Sequence, residues 1–193
     1  MTGRLDFLWR RLQAVVLLVF GRREAALEVF DGMVADFPGQ RYALASRAHL
    51  LAQLGRSEAA VADLRALVAA HPDDAAGWFN LGFLLEERSH WEEALEAFVQ
   101  ATRIDPKLDR AWYGQGLVLI RLQRLDEAVE ALKRNTELQP MSPYGWYQLA
   151  RVHVDRQQPD EAAKIIRHLE GFEPKVAAQL VRETGLLAGQ TAN

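Results

Sequence analysis

The sequence predicts an all-α chain built as a stack of antiparallel helix pairs, and three observations carry that expectation. Pro38, Pro72, Pro106, Pro140 and Pro174 stand 34 residues apart, and they are five of the seven prolines in the chain. Small and apolar residues recur in columns at the same period. Between the prolines, apolar residues follow the i, i+3, i+4, i+7 spacing of a helix face rather than the alternation of a strand.

The columns have separate physical meanings. Ala14, Ala48, Gly82, Gly116 and Ala150 form a small column, expected where two helices approach closely. Ala26, Ala60, Ala94, Ala128 and Ala162 form an all-alanine column on the second helix of each pair. Phe30, Leu64, Phe98, Leu132 and Ile166 fill the space between pairs. The prolines are expected to end each second helix, because proline lacks the N–H and pushes the preceding residue out of the helical region.

The helical pattern is clearest in the third repeat, at Trp78, Leu81, Gly82 and Leu85 and then at Ala94, Phe98 and Ala101, with a break at Ser89 or His90. One such pair cannot bury its own apolar face, so pairs stack on their neighbours. The expected repeats are 7–40, 41–74, 75–108, 109–142 and 143–176, forming a single array over 1–193. Residues 177–189 read as a capping helix, and Gln190 to Asn193 as a frayed tail.

Bulk properties narrow the function classes. The net charge is −3 and lacks the basic excess of a nucleic-acid binder. There is no cysteine, hence no disulfide and no thiolate metal site. That composition fits a reducing compartment, and a cytoplasmic location is expected, with residues 5–20 able to bring the chain to the periphery of the inner membrane. The longest apolar run, Leu12 to Phe20, is too short to span a bilayer, which needs about 20 residues. It follows Arg10 and Arg11 as a signal peptide would, but Gly21, Arg22, Arg23 and Glu24 supply no small-x-small cleavage site.

Trp78, Leu81, Gly82, Leu85, Ala94, Phe98, Ala101 and Pro106 resemble the motif of the tetratricopeptide repeat family. The resemblance covers about 7–176. It weakens at Arg10 and Gln13 in the first repeat and at His153 and Pro159 in the last. It implies a right-handed superhelical solenoid of five helix pairs plus the capping helix, acting as a protein-interaction module such as a scaffold, assembly factor or chaperone-like adaptor.

In that family the first helices line a concave groove. The exposed face of each first helix would then be Tyr42, Ala45, His49 and Ala52, followed by Ala76, Phe79, Phe83 and Glu86. The next two sets are Arg110, Tyr113, Leu117 and Ile120, and Tyr144, Tyr147, Arg151 and Val154. Six aromatics with Arg110, Arg151 and His49 among them would suit an apolar helix or an extended segment carrying a few acidic groups. The Lys and Asn clamp by which some members hold a C-terminal carboxylate is not expected. Its columns carry Ala45, His49, Asn80, Arg110 and Gly114, of which only Asn80 and Arg110 are compatible.

The first helix, 5–20, departs from the pattern. Its groove face would be Leu8, Arg11, Val15 and Leu18, with Val19 beside them, and Val15 to Phe20 is apolar all round. Arg4, Arg10, Arg11, Arg22 and Arg23 rim it, against Asp6 alone. A helix apolar all round is buried somewhere. Three burials stay open: the groove of its own array, a partner protein, or an anionic membrane surface, the last making the chain a membrane-peripheral assembly factor.

No constellation argues for an enzyme, a cofactor, a metal or a small-molecule substrate. The histidines at 49, 71, 90, 153 and 168 lack metal-ligand spacing. Gly82 and Gly116 belong to the close-packing column rather than to a phosphate loop. Asp73-Asp74, Glu86-Glu87 and Glu92-Glu93 read as solubility and capping residues.

Overall fold

The computed structural model describes residues 2–186. Eleven helices account for most of them, with no strand among the described residues. The chain divides into two compact bodies, 1–89 and 90–193. The first holds α1 (Thr2–Val19), α2 (Arg23–Asp36), α3 (Arg41–Gln53), α4 (Ser57–Ala70) and α5 (Ala75–Glu87). The second holds α6 (Trp91–Ile104), α7 (Asp109–Arg121), α8 (Leu125–Leu138), α9 (Pro143–Asp155), α10 (Pro159–Glu170) and α11 (Pro174–Thr184). Within each body every helix packs on the next, and α11 also touches α9.

Four of the five comb prolines act as stops. Helices α2, α4, α6 and α8 end two residues before Pro38, Pro72, Pro106 and Pro140. The intervening Phe37, His71, Asp105 and Gln139 take φ between −133° and −124° with ψ between 63° and 93°, outside the helical region that proline disfavours in its predecessor. The fifth proline is a correction. Helix α10 stops at Glu170, and Pro174 is the first residue of α11, where its missing N–H costs no helical hydrogen bond. The capping helix therefore starts at Pro174 rather than 177. It ends at Thr184, because Gly185 takes the left-handed conformation at φ 70°. Residues 187–193, which include the rest of the expected helix and the tail, lie outside the described residues.

The comb does more than stop helices. The indole Nε1–H of Trp78, Trp112 and Trp146 donates to the carbonyl oxygen of Pro72, Pro106 and Pro140, at 3.0, 3.0 and 2.9 Å. Each tryptophan thus fixes the entry of its own first helix to the preceding turn. A second 34-residue comb lies in the turns inside the pairs, at Gly21, Gly55, Ser89, Gln123 and Gln157. All five have φ between 58° and 75°, which glycine adopts freely and the other three adopt under strain.

The columns are the core. All five second-helix alanines are fully buried, as are Phe98, Leu132 and Ile166. The small column at 14, 48, 82, 116 and 150 is buried too, and a Cβ on Gly116 would lie 2.7 Å from Leu132 Cγ. A second small column, Ala43, Gly77, Ala111 and Gly145, is also buried and faces the preceding helix. A Cβ on Gly77 would meet Leu67 at 3.1 Å, and one on Gly145 would run into the Asn135 side chain. On α7, Gly114 lies under Phe98 of α6, where a Cβ would come within 2.6 Å of the ring.

Polar groups buried in these joints are paired. Arg47 of α3 forks onto the buried Asp63 of α4 at 2.7 and 2.6 Å, and reaches Asp31 of α2 at 3.0 Å. Asn135 Nδ2 donates to the Asp109 carbonyl at 2.9 Å. His153, which replaces a leucine of the earlier repeats, is buried and meets Gln158 Oε1 at 2.8 Å.

Candidate partner-binding clefts

In the first body, α3 and α5 flank a cleft of about 290 Å³ with Leu64 of α4 on its floor. Alanines make the room: Ala45, Ala48 and Ala52 line the α3 side, where longer side chains would fill it. The α5 side carries Asn80, Phe83, Leu84 and Glu87. Phe83 is exposed and packs its ring on Phe79, half-buried one turn earlier, at 6.5 Å between centroids. His49 stands at the rim, 2.9 Å from Gln53 Nε2. The volume is at the low end of the range for small-molecule sites and matches one or two apolar side chains.

In the second body, α7, α9 and α11 enclose a cleft of about 280 Å³. Tyr113, Tyr144 and Tyr147 meet there, with Pro143 and Gln148 beside them and Val176 and Gln179 of α11 as one wall. Tyr144 is 70% exposed. Tyr147 is committed to a network. Its Oη donates to Glu183 Oε2 at 2.7 Å and accepts from Arg151 Nη1 at 3.3 Å. Gln179 Nε2 donates to the other Glu183 oxygen at 2.8 Å. The Gln179 and Tyr147 hydrogen bonds hold the Glu183 carboxyl below the usual carboxylate range. The hydrogen bond to Tyr147 pushes the Arg151 guanidinium further up. Arg151, its side chain about half exposed, is thereby tied to the docking of α11 on α9.

The remaining predicted residues fall elsewhere. Tyr42 is half-buried beside Phe7 and Phe30, with the Arg11 guanidinium 4.3 Å above its ring. It packs α1 onto α3 instead of lining a cleft. Arg110 is exposed on the first turn of α7, and Leu117 is half-buried further along it. Leu8, Arg11, Val15, Leu18 and Val19 of α1 are all exposed. The sequence reading missed Gln53, Leu64, Leu84 and Glu87 in the first cleft and the α11 wall of the second. Carrying the first-helix pattern past residue 176 was the available signal for that wall.

The sequence pattern describing the tetratricopeptide repeat matches three overlapping stretches, 46–109, 84–143 and 113–171. A comparison with curated proteins gave no match. Among solved structures, the chain is similar to MamA (residues 41 to the end) from Desulfovibrio magneticus RS-1, at 20% identity and TM-score 0.78, covering 88% of this chain and 96% of that one. It is also similar to YrrB, described as a TPR protein with an unusual peptide-binding site, at 17% identity and TM-score 0.77, covering 88% of each chain. TTC0263 from Thermus thermophilus, a thermophilic TPR protein, aligns at 24% identity and TM-score 0.58 over 94% of this chain and 99% of that one. At these identities the likenesses establish the fold alone.

Proposed function

The chain belongs to the tetratricopeptide repeat family, and from that premise we propose that it is a protein-interaction module whose clefts seat side chains of a partner segment. Repeats of this family generally mediate protein–protein contact. The observation that carries the finer reading is the alanine-walled cleft between α3 and α5, with Phe83 exposed at its edge. An apolar side chain entering it would bury against Leu64, Leu84 and the Phe83 ring, and aromatic contacts of that kind tend to dominate an interface. The partner is an apolar helix or extended segment. The margin of this cleft, His49 on one side and Glu87 on the other, favours polar rather than strongly acidic flanks. The tyrosine cleft of the second body supports a second anchor point of the same kind.

Selection of peptides from a displayed library on the intact chain, followed by calorimetry, tests this. Selected peptides should share an apolar or aromatic anchor. Phe83→Ala removes a wall of the cleft, and Ala52→Phe fills it. Each should weaken binding about 30-fold, the equivalent of about 2 kcal/mol at a central aromatic. A paired control on second helices, Glu93→Ala with Glu130→Ala, should leave affinity unchanged. Peptides that bind both cleft variants as tightly as the parent would place the site on another face.

A further inference from the structure

The outward face of α1 is the largest apolar feature that the clefts leave unexplained. Phe7, Ala14 and Leu17 turn toward α2, while Leu5, Trp9, Leu12, Val16, Val19 and Phe20 run along the opposite side. Trp9 is 67% exposed and Val19 and Phe20 77%. Among the described residues nothing covers this stripe, which runs almost the whole length of an 18-residue helix. A contiguous apolar surface of several hundred Å² marks an interaction site. We propose that α1 docks, lying flat, on the surface of an anionic phospholipid bilayer.

Two observations select this occupant. The first is charge. Residues 1–23 carry five arginines and one aspartate, a net +4, whereas the whole chain is −3, leaving −7 for the remainder. Arg10 is held by Asp6 and Asp36, but Arg4, Arg22 and Arg23 are exposed at the two ends of the apolar stripe. Basic residues beside a face of Trp, Phe and Leu make an interfacial helix, with the arginines at the headgroups. A second copy of the chain brought to the same face would set Arg4, Arg22 and Arg23 against the same arginines of the first.

The second is the residue at position 9. One repeat on, the same position is Ala43, then Gly77, Ala111 and Gly145, all buried against the helix of the preceding repeat. At Gly77 even a Cβ would be tight, 3.1 Å from Leu67. An indole there prevents another repeat from stacking on α1 in the manner of the rest of the array. A fluid lipid surface has no such shape requirement, and it accepts a convex apolar ridge without a matching groove. No helix of the described residues is long and apolar enough to cross a membrane, so α1 lies on the bilayer and does not span it. This inference is independent of the clefts and stands or falls apart from them.

The test is flotation of the full chain with vesicles of phosphatidylglycerol mixed into phosphatidylcholine, and with vesicles of phosphatidylcholine alone. Binding should require the anionic lipid and fall with added salt. Trp9→Glu with Val16→Glu, both on exposed positions, should abolish flotation while the helical circular dichroism stays unchanged. Arg4→Gln with Arg22→Gln and Arg23→Gln should weaken partitioning about a hundredfold, since each arginine near an anionic surface contributes about fivefold. Brominated lipid should quench the parent more than Trp9→Phe, in which the four other tryptophans remain. Three outcomes would overturn the proposal: no flotation of the parent, equal flotation of the Trp9→Glu, Val16→Glu variant, or self-association in solution that this variant abolishes without any vesicle binding. The last would make the face a contact between copies.

Discussion

Replacing Gly114 by alanine tests the joint between α6 and α7 directly. The added methyl would stand 2.6, 2.8 and 2.9 Å from three atoms of the Phe98 ring, far inside ordinary van der Waals contact. Phe98 is fully buried and cannot swing into solvent, so either the ring or helix α7 must shift. Overpacking of this kind costs about 1–3 kcal/mol. Alanine in place of glycine within a helix returns about 0.5–1 kcal/mol of backbone entropy. The net expectation is a destabilisation of about 1–2 kcal/mol, which for a chain of this size lowers the melting midpoint by about 2–8 °C. Phe98→Leu alone should cost about 1 kcal/mol or more through the void it opens. Combined with Gly114→Ala, that void receives the new methyl, and the double variant should be at least 1 kcal/mol more stable than the sum of the singles predicts. Thermal and urea melts of the four proteins complete the cycle. Additivity within about 0.5 kcal/mol, or a stabilised Gly114→Ala, would show that the ring is free to move and that the joint is not packed as described.

Further substitutions probe other features. Arg47→Met strands the buried Asp63 carboxylate and should cost about 3 kcal/mol, while adding Asp63→Leu should recover most of it, both read by urea midpoints. Gln123→Gly relieves the left-handed strain at φ 59° and should stabilise by about 0.5–1 kcal/mol, with Gly55→Ala moving the melting midpoint the other way. Glu183→Gln should raise amide exchange across α11 and leave α7 and α8 protected. The Glu183 carboxyl is held below its ordinary range, so its contribution is fully present above that range and disappears as pH falls below it, through the lowered folded-state value. Protection factors across α11, taken against the intrinsic exchange rate at each pH, should therefore fall on acidification in the parent and much less in Glu183→Gln.

The helix pairs and their core were readable because steric limits repeat with the backbone. A position that admits only alanine in one repeat admits only alanine in the next, so Ala26 to Ala162 is visible without coordinates. The column at Ala43, Gly77, Ala111 and Gly145 was equally visible and was overlooked, because its first member is Trp9 and the break hid the pattern. The site was less legible. Ala45, His49, Asn80 and Phe83 do meet in one cleft, since helix geometry fixes which residues share a face. Tyr42 and Arg151 were assigned by that same geometry, yet long side chains from α1 and α11 claim them. Arg11 and Glu183 have no counterpart at the matching place in other repeats, so periodicity carries no information about their reach.

The joint at Gly114 has a consequence for how such a chain can lengthen. At the positions equivalent to Phe98 and Gly114, second helices carry Phe30, Leu64, Phe98 and Leu132, and the first helices that follow carry Ser46, Asn80, Gly114 and Gln148. By position, a large ring is matched with a very small residue, and a smaller leucine with an amide. Duplicating the third repeat alone would set Phe98 against a second Asn80, at a joint where even a Cβ on Gly114 would come within 2.6 Å of the ring. Duplicating the fourth alone would set Leu132 over a second Gly114 and leave a hole. Copying two successive repeats preserves the alternation, because Phe98 then meets Ser46 or Leu132 meets Asn80, pairings of kinds already present. The backbone counts in steps of 34 residues, but the grammar of its joints counts in twos, so insertions and deletions designed to keep this core intact should come as pairs of repeats.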